Sequence, residues 1–148
     1  MKKTLRKETI AAMKELPQSV KAEADSQLTQ RFIQLPAFQE AQTLATYLSM
    51  SHEFSTASLI QAALQSGKRV CVPRTYPQGR MEFVEYDSDI LEKTRFGLLE
   101  PNETGKVVDQ SEIDLIHVPG VVFQSKGYRI GYGGGYYDRY LADFTGKT

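Results

Sequence analysis

The 148 residues carry 18 Lys and Arg against 18 Asp and Glu, a formal net charge of zero, and 41% of them are hydrophobic. That is chain enough for one domain with its own core and no need of disulfides or metal, and the neutral balance argues against nucleic acid or an acidic membrane surface as partner. Cys71 is the one cysteine, which excludes an internal disulfide and suits a reducing compartment; no apolar run approaches the ~18 residues of a membrane span, and no signal-like apolar segment follows the charged N-terminus, so a cytoplasmic, soluble protein is expected.

The spacing of Leu5, Thr9, Met13 and Leu16 predicts a helix over 2–16, ended by Pro17. Lys2 and Arg6 lie four apart on it, with Cβ atoms ~5–6 Å apart, which fits either a grip on one anion or a solvated basic face. A second helix is expected from Ser19 as N-cap, through inward-facing Val20, Ala24, Leu28 and Phe32, to Leu35, with Pro36 as the stop. Leu44, Thr46, Tyr47 and Leu48 read as a short buried strand, followed by the polar loop Ser51-His52-Glu53-Phe54. Ser55 or Thr56 then caps a helix with Leu59, Ile60, Ala63 and Leu64 on its apolar side, closed by Gly67. Lys68 to Pro73 is the second strand, so strand, helix and strand form a βαβ unit with a parallel pair.

Pro77-Gln78-Gly79 supplies a turn, and Met81 to Tyr86 reads as an edge strand. Phe96 to Pro101 reads as a loop, with polar sequence on to Ser111. Ile113 to Val118 is the next buried strand, broken by Pro119-Gly120, and Val121 to Phe123 continues it or starts a short neighbour. These elements predict a single α/β domain over 1–148, an open, mostly parallel sheet with helices on both faces in three layers. Its ligands belong in the crevice outside the carboxyl ends of the strands, where Glu53, Arg74 and the Pro119-Gly120 bend all fall.

The last part of the sequence concentrates glycine and tyrosine: five of the eleven Gly and five of the eight Tyr lie in 127–141. Gly131, Gly133, Gly134 and Gly135 free the backbone for positive φ and close approach to a ligand, and Tyr136 to Leu141 reads as the start of a helix, a natural place for an anion. A Walker A loop would need Gly-Lys-Ser/Thr at its end, and a dinucleotide fingerprint a small residue at position 136; neither fits. A Gly/Tyr-biased low-complexity segment is the bland alternative. Asp138, in the first turn, is either a helix cap or a Mg²⁺ ligand beside bound phosphates. Tyr136 and Tyr137 point ~100° apart on a helix, so one packs inward while the other faces the crevice, and Tyr132 is placed to stack on a flat ring. His52 reads as a surface histidine, His117 as a structural one and Cys71 as a buried inert thiol. No catalytic triad or zinc set is visible.

Ile130-Gly131-Tyr132-Gly133-Gly134-Gly135-Tyr136-Tyr137-Asp138-Arg139-Tyr140-Leu141 closely resembles the signature of the 5-formyltetrahydrofolate cyclo-ligases, also called 5,10-methenyltetrahydrofolate synthetases. Lys2 to Arg6, Leu48 to Thr56, Val72-Pro73-Arg74 and Asp114 to Phe123 resemble that family in the same order. The resemblance implies an ATP- and Mg²⁺-dependent ligase that converts 5-formyltetrahydrofolate to 5,10-methenyltetrahydrofolate, ADP and phosphate, by phosphorylating the formyl oxygen and letting N10 attack the activated carbon. Such catalysis is mostly positioning and charge neutralisation. By position, Lys2, Lys3 and Arg6 would hold ATP phosphates, and Arg129, Gly131, Gly133, Gly134, Gly135, Tyr136 and Tyr137 would form the ATP loop, with Arg129 and Tyr136 serving the catalytic step. Leu48, Glu53, Tyr132, Gly133, Gly134, Gly135 and Tyr136 would border the folate, Glu53 at its pterin end, and Asp138 would be the Mg²⁺ ligand. Arg74 is a further candidate for a phosphate or the glutamate tail. The implied partners are these small molecules, with no nucleic acid and no membrane, on a monomer or weak homo-oligomer. In the resembling family the chain continues past this helix to a second acidic metal ligand, whereas this sequence stops at Thr148, so a C-terminally short domain with weaker turnover is expected. A non-catalytic nucleotide- or phosphate-binding module on the same frame is the rival reading.

Overall fold

Period-two alternation along the central strands sends neighbouring side chains to opposite faces, and that alternation divides the core in two. In the computed structural model, which describes residues 2–94, 97–132 and 135–148, the elements in chain order are α1 (Lys2–Glu15), α2 (Gln18–Gln34), α3 (Pro36–Glu40), β1 (Thr43–Ala45), α4 (Ala57–Gln65), β2 (Arg69–Tyr76), β3 (Arg80–Glu85), β4 (Leu91–Lys93), β5 (Leu99–Pro101), β6 (Val107–Val108), β7 (Leu115–Ile116), β8 (Val122–Phe123), β9 (Arg129–Ile130) and α5 (Tyr136–Leu141). Leu44, Val70 and Leu115 are in register across β1, β2 and β7 and pack with Phe38, Leu59, Ile60 and Ala63 of α3 and α4. The next residues, Ala45, Cys71 and Ile116, face the other way and join Phe83 and Val108, with Tyr137, Tyr140 and Leu141 of α5 packed over them. Helices therefore cover both faces, and each fully buried Leu or Ile in these layers contributes about 1.5–3 kcal/mol.

The central sheet has the order β6-β3-β2-β1-β7. β1 is parallel to β2 and β7, while β3 is antiparallel to both β2 and β6. Only β3 therefore runs against the rest, and the sheet is mostly parallel as expected. Two small hairpins, β4 with β5 and β8 with β9, stand outside it.

Several local expectations change. β3 is an interior strand rather than an edge, because the short β6 pairs with its far side through Phe83 and Val84. The stretch ending at Pro101 contributes β5, not only a loop. Helix α2 starts one residue before Ser19, with Pro17 at the N-cap position and no side-chain cap. Its inward stripe is Lys21, Asp25, Thr29 and Phe32 with Ile33, whereas Val20 is 52% and Leu28 49% exposed. An ion pair between Lys21 and Asp25 at 2.6 Å lets those two side chains lie on the covered side. Thr56 is the N-cap of α4, but its hydroxyl serves the preceding loop and not the helix.

Candidate functional site

Beyond the carboxyl ends of β1 and β2 lies a cavity of about 690 Å³. One wall is the loop after β1. There the Thr56 hydroxyl donates to the Tyr47 carbonyl at 2.7 Å and accepts from Ser49 N at 3.2 Å, closing the loop onto the start of α4. Within it Met50 N donates to the Glu53 carboxylate at 2.7 Å and Glu53 N to the Met50 carbonyl at 3.1 Å, a reciprocal pair that fixes the carboxylate in the cavity wall. Glu53 is only 6% exposed. The expected loop acid is thus a buried acceptor whose desolvation is offset by a dedicated donor. Burial first, then the Glu53 charge, pushes the phenols of Tyr47 and Tyr132 far above their usual range, so both stay protonated donors at neutral pH.

The opposite wall is cationic. Lys2 and Arg6, one helical turn apart on α1, both reach the cavity, and among the described residues neither has a carboxylate at ion-pair distance. Arg6 donates from Nε to the Gly131 carbonyl at 2.6 Å, tying α1 to the glycine loop. Lys3 does not line the cavity. With Lys2 and Arg6 turned inward, the next residue lies ~100° around the helix.

Described residues of the glycine-rich segment also line the cavity. Arg129, the first residue of β9, has its guanidinium held twice, donating from Nη1 to the Pro119 carbonyl at 2.7 Å and from Nη2 to Asp138 at 3.1 Å. Gly131 does not take a positive φ, and a methyl group there would lie 2.6 Å from Arg129 Nη1. Gly135 does take the left-handed conformation, φ 72°, at the N-cap of α5. Gly133 and Gly134 lie outside the described residues. Tyr132, Tyr136 and Tyr137 all line the cavity. The Tyr137 hydroxyl is buried there with no hydrogen-bond partner among the described residues, and burial raises its pKa strongly.

Asp138 also lines the cavity, with its side chain 82% exposed. Among the described residues no three His, Cys, Asp or Glu cluster tightly enough to hold a metal on their own. Mg²⁺ is commonly held by one or two carboxylates plus substrate phosphates, and an exposed carboxylate on the wall of this cavity fits that mode.

The structure moves some expectations and adds others. Arg74 does not reach the cavity. Its guanidinium is committed to Glu82 at 2.6 Å and the Tyr76 hydroxyl at 2.9 Å. His52 is more than a surface side chain: its Nε2 lies 3.1 Å from the Tyr132 hydroxyl, linking the loop after β1 to the glycine loop. His117 is structural as expected, packed by Phe32, Tyr47 and Phe54 and hydrogen-bonded to Thr46, with burial pulling its pKa down to about 4. Cys71 is fully buried, its thiol pushed up to about 12 chiefly by burial, and is inert. Sequence reasoning missed Thr75 and Glu100. Glu100, 9% exposed, accepts from Thr75 N at 3.2 Å and the Thr75 hydroxyl at 2.5 Å, fastening the β4–β5 hairpin to β2 as a third wall. A carboxylate between Leu99 and Pro101 gave no sequence signal of that role.

Residues 1–148 match the sequence profile of the 5-formyltetrahydrofolate cyclo-ligase family. The 5-formyltetrahydrofolate cyclo-ligase of Haemophilus influenzae is 33% identical over 130 residues, covering 85% of this chain and 70% of its own. The probable 5-formyltetrahydrofolate cyclo-ligase of Caenorhabditis elegans is 37% identical over 121 residues, covering 76% of this chain and 59% of its own. Among solved structures, the 5,10-methenyltetrahydrofolate synthetase of Aquifex aeolicus superposes with a TM-score of 0.84 at 29% identity, over 99% of this chain and 75% of that one. The 5,10-methenyltetrahydrofolate synthetase of Mycoplasma pneumoniae, at 23% identity and a TM-score of 0.78, shares the fold. The chain thus spans 59% of the length of the C. elegans relative and 70% of the H. influenzae one.

Proposed function

The chain belongs to the 5-formyltetrahydrofolate cyclo-ligase family, and from that premise we propose that it cyclises 5-formyltetrahydrofolate to 5,10-methenyltetrahydrofolate at the expense of ATP. The observation that carries this reading is the convergence on one cavity of Lys2 and Arg6, which have no carboxylate at ion-pair distance among the described residues, of the buried Glu53 carboxylate, and of Gly131 and Gly135. Lys2 and Arg6 give the nucleotide's phosphates a cationic end, and Glu53, with Tyr47 and Tyr132 beside it, gives the pterin's amino and ring N–H groups an acceptor end. The formyl oxygen takes the γ-phosphoryl group and ADP leaves. N10 then bonds to the activated carbon, the C–O bond to phosphate breaks, and loss of the N10 proton leaves the cyclic methenyl cation.

The groups on the walls act by place and charge. Arg129, pinned by Pro119 and Asp138, holds a fixed positive charge beside the loop where negative charge shifts during transfer, and Tyr136 borders both ligands. Asp138 would hold Mg²⁺, which supplies charge neutralisation across the phosphates when bound. Residues 1–148 act as one cyclo-ligase domain, in the cytoplasm, on small-molecule substrates, as a monomer or weak homo-oligomer. The test is ADP release: it is expected only when 5-formyltetrahydrofolate, ATP and Mg²⁺ are all present. ATP binding with no folate-dependent ADP release would overturn the assignment in favour of a binding module.

A further inference from the structure

The turn between β2 and β3 is built around a residue from another part of the chain. Gln78 is the one non-glycine described residue with positive φ, 68°, and Gly79 follows at 75°. Gly79 is buried although Pro77, Gln78 and Arg80 around it are exposed. Arg139 of α5 covers it: a methyl group on Gly79 would fall 1.9 Å from Arg139 Nη1 and 2.7 Å from Cζ. The same guanidinium lies against Gly135, where a methyl would fall 2.8 Å from Nη1 and 3.4 Å from Cζ. Two glycines from distant parts of the sequence are thus both bare beneath one side chain, and both take the left-handed backbone.

We infer that Arg139 is a positioning residue that locks the last residue of the glycine loop to the β2–β3 turn. The inference rests on reading that loop as the phosphate site. The seat of α5 on the sheet comes from elsewhere, from Tyr137, Tyr140 and Leu141 packed against the Phe83 cluster, while Arg139 itself is exposed. Its guanidinium lies against Gly135, immediately before the cavity-lining Tyr136 and Tyr137. A guanidinium is a rigid planar fork of donors, which the compact ammonium of a lysine does not reproduce.

The experiment compares Arg139→Ala, Arg139→Lys, Gly79→Ala and the Arg139→Ala/Gly79→Ala double variant. The readouts are hydrogen exchange of peptides covering 129–136, exchange of β1 and β2, and the KM for ATP against kcat. Arg139→Ala is expected to speed exchange in 129–136 and raise the KM for ATP by about tenfold, with kcat and the β1 and β2 amides little changed. Gly79→Ala, which strains the turn at φ 75° as well as displacing the guanidinium, should reproduce the loop effect, and the double variant should loosen 129–136 no further than Arg139→Ala. Arg139→Lys should resemble Arg139→Ala. Unchanged loop exchange in Arg139→Ala, additive effects in the double variant, full rescue by Lys, or uniform loosening of β1 and β2 would each overturn the inference. If the unmodified protein shows no turnover, the functional reading falls while the exchange data still decide this one.

Discussion

Replacing Asp138 by Asn separates what this carboxylate does for stability from what it does for chemistry. Its pair with Arg129 spans 3.1 Å, but the Asp138 side chain is 82% exposed, so the pair contributes no more than about 1 kcal/mol. Loss of an anion from the first turn of α5 adds a few tenths, and Arg129 keeps its bond to the Pro119 carbonyl. For a chain of this size the Tm should fall by no more than about 4 °C. If Asp138 holds Mg²⁺, kcat/KM should instead drop about 100-fold, ~2.7 kcal/mol of transition-state stabilisation, and the Mg²⁺ concentration for half-maximal rate should rise. Thermal melts and Mg²⁺ titrations of initial rate on the same preparation measure both. A variant with near-normal kcat/KM and unchanged Mg²⁺ dependence would refute the metal-ligand reasoning, and a collapse in Tm would show a structural pair instead.

Lys2→Ala and Arg6→Ala should each raise the KM for ATP several-fold and flatten its salt dependence, with Arg6→Ala the more damaging because it also frees the Gly131 carbonyl; equal KM values for all three proteins would contradict the cationic wall. Thr75→Val leaves the buried Glu100 carboxylate without its hydroxyl donor and should cost about 1–3 kcal/mol in urea unfolding, with faster hydrogen exchange in 91–101; an unchanged urea midpoint would show that the staple is unimportant. His117 is neutral in the fold, with a pKa of about 4 against ~6.5 when unfolded. The unfolded chain therefore binds the extra proton first, and stability present above pH 6.5 is lost as the pH falls toward 4. Between pH 7 and 5 this amounts to about 2 kcal/mol, a loss that His117→Gln should lack when urea midpoints are compared at the two pH values; the same pH loss in the variant would assign it to other groups.

Strands that pack on both faces were legible because their apolar runs are short and continuous, as at Leu44 and Val70-Cys71-Val72, and the turn into α5 was legible because its left-handed N-cap favours glycine, as at Gly135. The faces of α1 and α2 were not. Both helices are thinly covered, with Leu5, Leu16, Val20 and Leu28 all more than 40% exposed, so an apolar series four apart could lie outward while Lys21 and Asp25, neutralised by each other, lay inward. Glu100 and Arg139 were illegible for a different reason. Each acts through a partner far along the chain, Thr75 for one and Gly79 for the other, and nothing local marks such a pairing. Arg74 misled in the opposite way, since a cation at a strand's end looks free until Glu82, across the β2–β3 pair, claims it.

The most direct test of the cavity as a cyclo-ligase site is the absorbance of the methenyl chromophore on mixing the protein with 5-formyltetrahydrofolate, ATP and Mg²⁺. A rise that needs all three components and keeps pace with ADP release is the predicted result. No rise, while ATP still binds, would contradict the account and leave the glycine loop as a nucleotide site without this chemistry.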